Sequence, residues 1–187
     1  MNTREITCPD ADAPEEIRWQ GDFIAAKTRG RWEYVSRTRG IGAAVILALD
    51  EARQGERDVL LVEQYRVPLG SYCLELPAGL VGDDEGADGE LALDAAQREL
   101  EEETGYRAEH WENLGQFHSS PGMVSESFTL LKATGLTKVG EGGGTHGEDI
   151  IVHRVPLAEI AQVIGEHRER GTAIDVKLLL LLAETIL

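Results

Sequence analysis

The sequence predicts an α/β or α+β chain with helices on both faces of a sheet, on three observations. Gly42 to Leu49 (GAAVILAL) is a continuous apolar run of strand length, the pattern of a strand buried on both faces. Asp58 to Tyr65 (DVLLVEQY) repeats that signal after the charged turn Glu51 to Glu56. Leu91 to Thr104 then carries Leu93, Ala96, Leu100 and Glu103 on successive turns. It ends at Gly105, a residue suited to closing a helix in left-handed backbone. Strands before and after this helix, with two more helices following, require a layered arrangement to bury every apolar face.

The remaining elements follow in order. Residues 1–16 are polar and acidic and read as a loose lead-in. Trp19 to Lys27 and Arg31 to Arg39 alternate as two strands around the turn Thr28-Arg29-Gly30. Tyr72 to Pro77 is a short strand ending in Pro77-Ala78-Gly79. Residues 82–90 (GDDEGADGE) form an exposed loop rich in Gly and Asp. Trp111 to Phe117, Glu126 to Ala133 and Ile150 to Val155 are strands, with a Gly-rich loop at 141–144. Leu157 to Arg170 and Thr172 to Leu187 are the closing helices.

Composition narrows the function. A chain of 187 residues favours one domain with a small N-terminal extension. Lys and Arg number 18 against 34 Asp and Glu, a net charge of −16. Such a surface repels nucleic acid and anionic membranes, so neither is expected as a partner. It also repels an anionic substrate, so a site for one needs local cations. Cys8 and Cys73 make no disulfide framework, and a reduced cytoplasmic setting is expected. No apolar run approaches a membrane span, and the N-terminus lacks a secretory signal. His110, His118, His146, His153 and His167 show no ligand spacing and read as surface or structural residues.

The chemistry concentrates in Arg98 to Tyr106 (RELEEETGY). On a helix Glu99, Glu102 and Glu103 stand at i, i+3 and i+4 and share one face. Carboxylates this close repel unless a cation sits among them. An all-oxygen set suits Mg²⁺, which keeps some waters and bridges to phosphates. A solvated acidic face has the same pattern. Arg98 either orients Glu102 by a charge-assisted hydrogen bond or is an ordinary surface pair. Gly79 either lets backbone approach a ligand or simply ends a strand. Arg66, in Gln64-Tyr65-Arg66-Val67-Pro68, can clamp a phosphate through two parallel hydrogen bonds.

The order Arg-Glu-apolar-x-Glu-Glu-x-Gly-apolar, filled from Arg98 to Tyr106, resembles the core of the Nudix box of Nudix hydrolases. The leading Gly-x5-Glu of that box is displaced. Gly79-x5-Glu85 fits from one side, while Glu90, with seven residues between it and Arg98, fits from the other. Five extra residues in the 82–90 loop account for this, and either Glu85 or Glu90 takes the first-glutamate position. Glu63 to Gly79 (EQYRVPLGSYCLELPAG) and Trp32 to Arg37 resemble the ADP-ribose pyrophosphatase branch of the family. Pro121, 16 residues after Gly105, falls where that branch has a proline.

The resemblance implies a Nudix α/β/α sandwich around a mixed sheet at 41–187. Residues 1–40 become a β extension for dimerisation and base stacking. It implies hydrolysis of ADP-ribose to AMP and ribose 5-phosphate, with Mg²⁺ or Mn²⁺ held by Glu99, Glu102, Glu103 and the carbonyl of Ala78. Arg98 would pin Glu102, Arg66 and Arg37 would contact the diphosphate, and Glu148 would be the general base. Phe23 and Trp32, from different subunits of a homodimer, would stack the adenine. Leu80, Pro121 and Gly122 would border the substrate. The alternatives are a pyrophosphatase for GDP-mannose or ADP-glucose, and a non-catalytic Nudix nucleotide sensor.

Overall fold

The computed structural model describes residues 8–38, 41–51, 56–82, 90–145 and 147–182. Three strands come first, β1 (Glu15–Gln20), β2 (Ile24–Arg29) and β3 (Trp32–Arg37), as a separate antiparallel sheet. The run Trp19 to Lys27, expected as one strand, is divided. The Gly21-Asp22 pair reverses the chain, Gly21 N–H donating to Ile24 O at 2.9 Å, so that Trp19 comes to pair with Ala26. The second reversal is where the glycine signal places it: Gly30 has φ 55° and Arg29 faces Trp32 across the turn. Val35 joins this sheet to the rest, donating to Met123 O and accepting from Ser125 N.

The larger sheet contains β4 (Ala43–Glu51), β5 (Arg57–Arg66), β6 (Ser71–Glu75), β7 (Ala78–Leu80), β8 (Tyr106–His118), β9 (Ser127–Lys138), β10 (Ile151–Pro156) and β11 (Ala173–Ile174). Its path is β11-β6-β5-β4-β9-β8, with β10 on β5 and β7 on β4. The β4–β9 and β6–β11 pairs are parallel and the others antiparallel, so the sheet is mixed. β4 forks: Ala43 to Val45 pair with β7, while Leu49 to Glu51 pair with β5. The β7-paired part of β4 lines the cavity described below through Ala43 and Val45.

Helix α1 (Ala92–Thr104) covers one face and α2 (Ile160–Glu169) the other. Ala44, Ile46 and Ala48 pack with Leu60, Ala95, Ala96 and Leu100 beneath α1. Val45, Leu47 and Leu49 pack with Val59, Leu61, Leu74, Ile160 and Ile164 on the opposite face. All six of these β4 side chains are no more than 2% exposed, which is why the run is apolar without alternation. The alanines bring α1 close to the sheet, and burial of Leu100 contributes about 1.5–3 kcal/mol.

The C-terminal helix expected at Thr172 to Leu187 does not form over the described part. Ala173 and Ile174 add a parallel edge strand to β6, and Val176–Leu182 is a 3-10 helix. Leu178 and Leu181 are buried while Leu179 and Leu182 are half exposed. This i, i+3 spacing suits three residues per turn, and residues 183–187 lie outside the described residues. The preceding helix likewise opens with a 3-10 turn at Leu157–Glu159. β8 and β9 pair well beyond their expected limits: Tyr106, Ala108 and Leu136, interleaved with polar residues, extend the pairing and pack on the core beneath α1.

Candidate active site

Ala95, Ala96 and Leu100 set the rotation of α1, which places Glu103 at the sheet with them. Glu103 is 5% exposed, and its Oε2 accepts from the Ala78 N–H at 3.0 Å. Burial pushes its carboxyl up to about 8; the Ala78 N–H opposes that shift, and the charges of Glu99 and Glu148 reinforce it. Burial likewise raises Glu99, against the pull of Arg98. The helix can approach β7 only because residue 79 is glycine. A Cβ there would lie 2.0 Å from Glu99 Cδ. Gly79→Ala is therefore expected to displace Glu99 and weaken Mg²⁺ or Mn²⁺ binding by about 10–100-fold, the cost typical of losing a ligand's support. Metal titration of the variant checks this, and unchanged affinity removes Glu99 from the ligand set.

Arg98 engages more than Glu102. Its Nη1 donates to Glu99 Oε1 at 2.8 Å and to Glu102 Oε2 at 3.3 Å, and Nη2 donates to Leu80 O at 3.4 Å. Its Nε is 3.7 Å from Glu90 Oε1. Glu90 also accepts the Gly82 N–H at 2.7 Å. Glu90 thus sits beside the acidic cluster, and Glu85 lies outside the described residues.

The end of α1 carries a second device. Gly105, at φ 74°, ends the helix and leaves carbonyls that need donors. Gly143 N–H donates to Glu103 O at 2.8 Å, Gly144 N–H to Glu102 O at 2.9 Å and Gly140 N–H to Gly105 O at 3.0 Å. The Gly-rich loop therefore docks on the backbone of the acids themselves. A Cβ at Gly142 would lie 2.4 Å from Thr104 C, so side chains are excluded from that contact. The loop delivers Glu148 to the same cavity, its Oε2 accepting from Thr145 N–H at 2.9 Å. His146 lies outside the described residues.

The cavity has a volume of about 640 Å³ and takes in Leu80, Gln64, the α1 acids and Glu148. Arg66 reaches it with Nε and Nη2 held by Glu75 at 2.6 and 3.0 Å. Arg37 reaches it from β3, paired with Glu126 at 2.6 Å. Lys177, beside Asp175, lines it from the C-terminal segment. Sequence reasoning missed Glu75, Glu126 and Lys177. Only Glu75 carries a signal: a lone acid within Cys73-Leu74-Glu75-Leu76 is buried with its strand and so requires a cationic partner. Among the described residues, six glutamates face four cationic side chains around this space.

Trp32, Pro121 and Gly122 line a separate depression of about 410 Å³ with Arg29 and Tyr34. Phe23 is 69% exposed and lines neither space. Phe23 and Trp32 lie at opposite ends of the β2–β3 hairpin, so a single chain does not bring them together.

The donor set fits a hard divalent cation. It consists of clustered carboxylates, with a buried acid whose ionisation is disfavoured until positive charge arrives. A NUDIX domain model matches residues 38–175. The chain belongs to the Nudix family. Among Nudix relatives it is 41% identical over 152 residues to the ADP-sugar pyrophosphatase of Mus musculus, covering 72% of this chain and 67% of that one. It is 38% identical over 122 residues to the ADP-ribose pyrophosphatase of Mycobacterium tuberculosis, covering 65% and 55%. It is 34% identical over 152 residues to the GDP-mannose pyrophosphatase of Cronobacter sakazakii, covering 77% and 72%. A crystal structure of an ADP compounds hydrolase shares the fold, with a TM-score of 0.66 at 21% identity over 92% of this chain and 91% of that one. The Arg98 to Tyr106 motif of this chain thus lies at the C-terminal end of α1, with Glu103 hydrogen-bonded to β7.

Proposed function

We propose that this Nudix hydrolase cleaves the diphosphate linkage of ADP-ribose, releasing AMP and ribose 5-phosphate. The carrying observation is the charge balance of the cavity: six glutamates outnumber the four cations that line it, and each of those cations is itself paired with an acid. A diphosphate fits there only if further cations accompany it. Glu99, Glu102, Glu103 and the Ala78 carbonyl would hold Mg²⁺, and Mn²⁺ shares the same donor preference. When bound, the ions neutralise the diphosphate and make a coordinated water more acidic.

This chain's own residues do the rest. Arg66, braced by Glu75, and Arg37, braced by Glu126, orient the diphosphate oxygens. Glu148 takes the proton from the attacking water as its oxygen bonds to phosphorus and the bridging P–O bond breaks. Leu80 walls the substrate, and Pro121 and Gly122 border it from their own depression. The base rests on the N-terminal extension, residues 1–40. Phe23 and Trp32 are exposed, as are Ile17, Trp19 and Ile24 beside them. A homodimer covers this surface and brings the two rings together from different subunits, each stack contributing about 1–3 kcal/mol. The free Cys8 and Cys73 accord with a cytoplasmic setting, and among the described residues no helix is long and apolar enough to cross a membrane.

The Cronobacter relative favours GDP-mannose as the second reading, since stacking accepts any purine. Incubation with ADP-ribose, ADP-glucose and GDP-mannose, with and without Mg²⁺, separates the cases by chromatography of products. AMP from ADP-ribose only in the presence of metal is the expected result. Cleavage of GDP-mannose alone keeps the chemistry and overturns the adenine pocket. No turnover of any substrate makes the protein a nucleotide sensor.

A further inference from the structure

A second group of ligand-type side chains lies across the sheet from the catalytic cavity. Glu63 and Gln64 are consecutive on β5, so they point to opposite faces. Gln64 lines the cavity, whereas Glu63 meets His153 of β10 and His167 of α2. His153 Nε2 is 3.0 Å from Glu63 Oε2 and His167 Nε2 is 3.7 Å from the same oxygen. The three donor atoms all lie within 4.8 Å of one another. The histidines therefore do not act singly, as their sequence positions suggest. Register brings them together: Ile151 pairs with Glu63 and His153 with Leu61, placing His153 and Glu63 on one face.

Hydrogen bonds outside the group orient it. His167 Nδ1 is 2.9 Å from Val163 O, which only accepts, so Nδ1 donates there and Nε2 is the nitrogen turned toward Glu63. His167 is 4% exposed, and its Nε2 has no hydrogen-bond partner. Nε2 faces a carboxylate oxygen 3.7 Å away, and a buried nitrogen and carboxylate at that separation call for a proton or a metal cation between them. Thr172 Oγ1 donates to Glu63 Oε1 at 3.1 Å and turns Oε2 toward the imidazoles.

The geometry points to a second metal site, in which Glu63, His153 and His167 bind Zn²⁺. Two imidazoles and a carboxylate disfavour Mg²⁺ and suit zinc, which takes such a set with a water in the fourth position. Ligands of tetrahedral zinc stand about 3.4 Å apart, given its bond lengths; the two carboxylate–imidazole separations of 3.0 and 3.7 Å bracket that value, and the imidazole–imidazole separation is within 4.8 Å. His153 is partly exposed, so the ion has an entry path. Once bound, it clasps β5, β10 and α2 together.

Chelator-stripped full-length protein, titrated with Zn²⁺ against a chromophoric chelator in excess Mg²⁺, tests the assignment. One Zn²⁺ per chain is expected, with the same affinity in Glu103→Gln and an affinity at least about tenfold weaker in His153→Ala. X-ray absorption at the zinc edge is expected to show two imidazoles in the parent protein, a readout independent of any variant's folding. Failure to retain Zn²⁺ in excess Mg²⁺ overturns the site. So does equal affinity in His153→Ala, loss of affinity in Glu103→Gln, or a spectrum without imidazole.

Discussion

Glu103→Gln is expected to reduce Mg²⁺-dependent hydrolysis by more than about 100-fold, since a ligand matters more than the outer partners whose loss costs 10–100-fold. The same change is expected to stabilise the metal-free protein at alkaline pH. The folded state raises the Glu103 carboxyl from an ordinary 4.5 to about 8. Folding therefore favours the protonated acid, a contribution complete below pH 4.5 and lost as pH rises through 8. Glutamine never ionises, and its carbonyl still accepts the Ala78 N–H, so the variant escapes that loss. In the parent, Mg²⁺ is expected to stabilise the folded state by mass action, with an effect that grows as the acid ionises. Thermal melts with and without Mg²⁺ across pH 6–9, beside hydrolysis rates, check both halves. A Glu103→Gln protein that is active, or that Mg²⁺ stabilises as strongly as the parent, removes Glu103 from the metal site.

Legibility in the sequence followed the range of the interactions involved. GAAVILAL reported its burial because both faces of β4 are covered, and Arg98 to Tyr106 pointed to the candidate site because its acids lie within one helical turn and a half. Gly79 was legible as a close approach, though only the fold shows that Glu99 is what approaches it. The C-terminal segment misled because an apolar run of leucines reads as a helix, whereas a free edge on β6 captured Ala173 and Ile174 first. Glu63, His153 and His167 were invisible because three distant elements bring them together. Glu75 and Glu126 escaped for a similar reason: each is explained only by the arginine it holds. Phe23 and Trp32 mark the opposite limit, since one chain leaves both rings exposed and apart.

Glu148→Gln is expected to lower kcat by about 10²–10⁴-fold, the usual worth of a general base, with little change in KM. The substitution separates chemistry from structure cleanly. Glu148 is exposed, and the loop that carries it is held by glycine N–H groups on the carbonyls of Glu102 and Glu103, none of which the change touches. A glutamine oxygen can still accept the Thr145 N–H that orients the side chain. What disappears is the capacity to take a proton, together with a negative charge that raises both Glu99 and Glu103. Mg²⁺ should therefore still raise the melting temperature of Glu148→Gln, in contrast to Glu103→Gln, while turnover falls in both. Initial-rate kinetics beside melts on the two variants make the comparison. An unchanged kcat in Glu148→Gln moves the base elsewhere, and loss of the Mg²⁺-dependent melting shift makes Glu148 a metal ligand rather than the group that receives the proton.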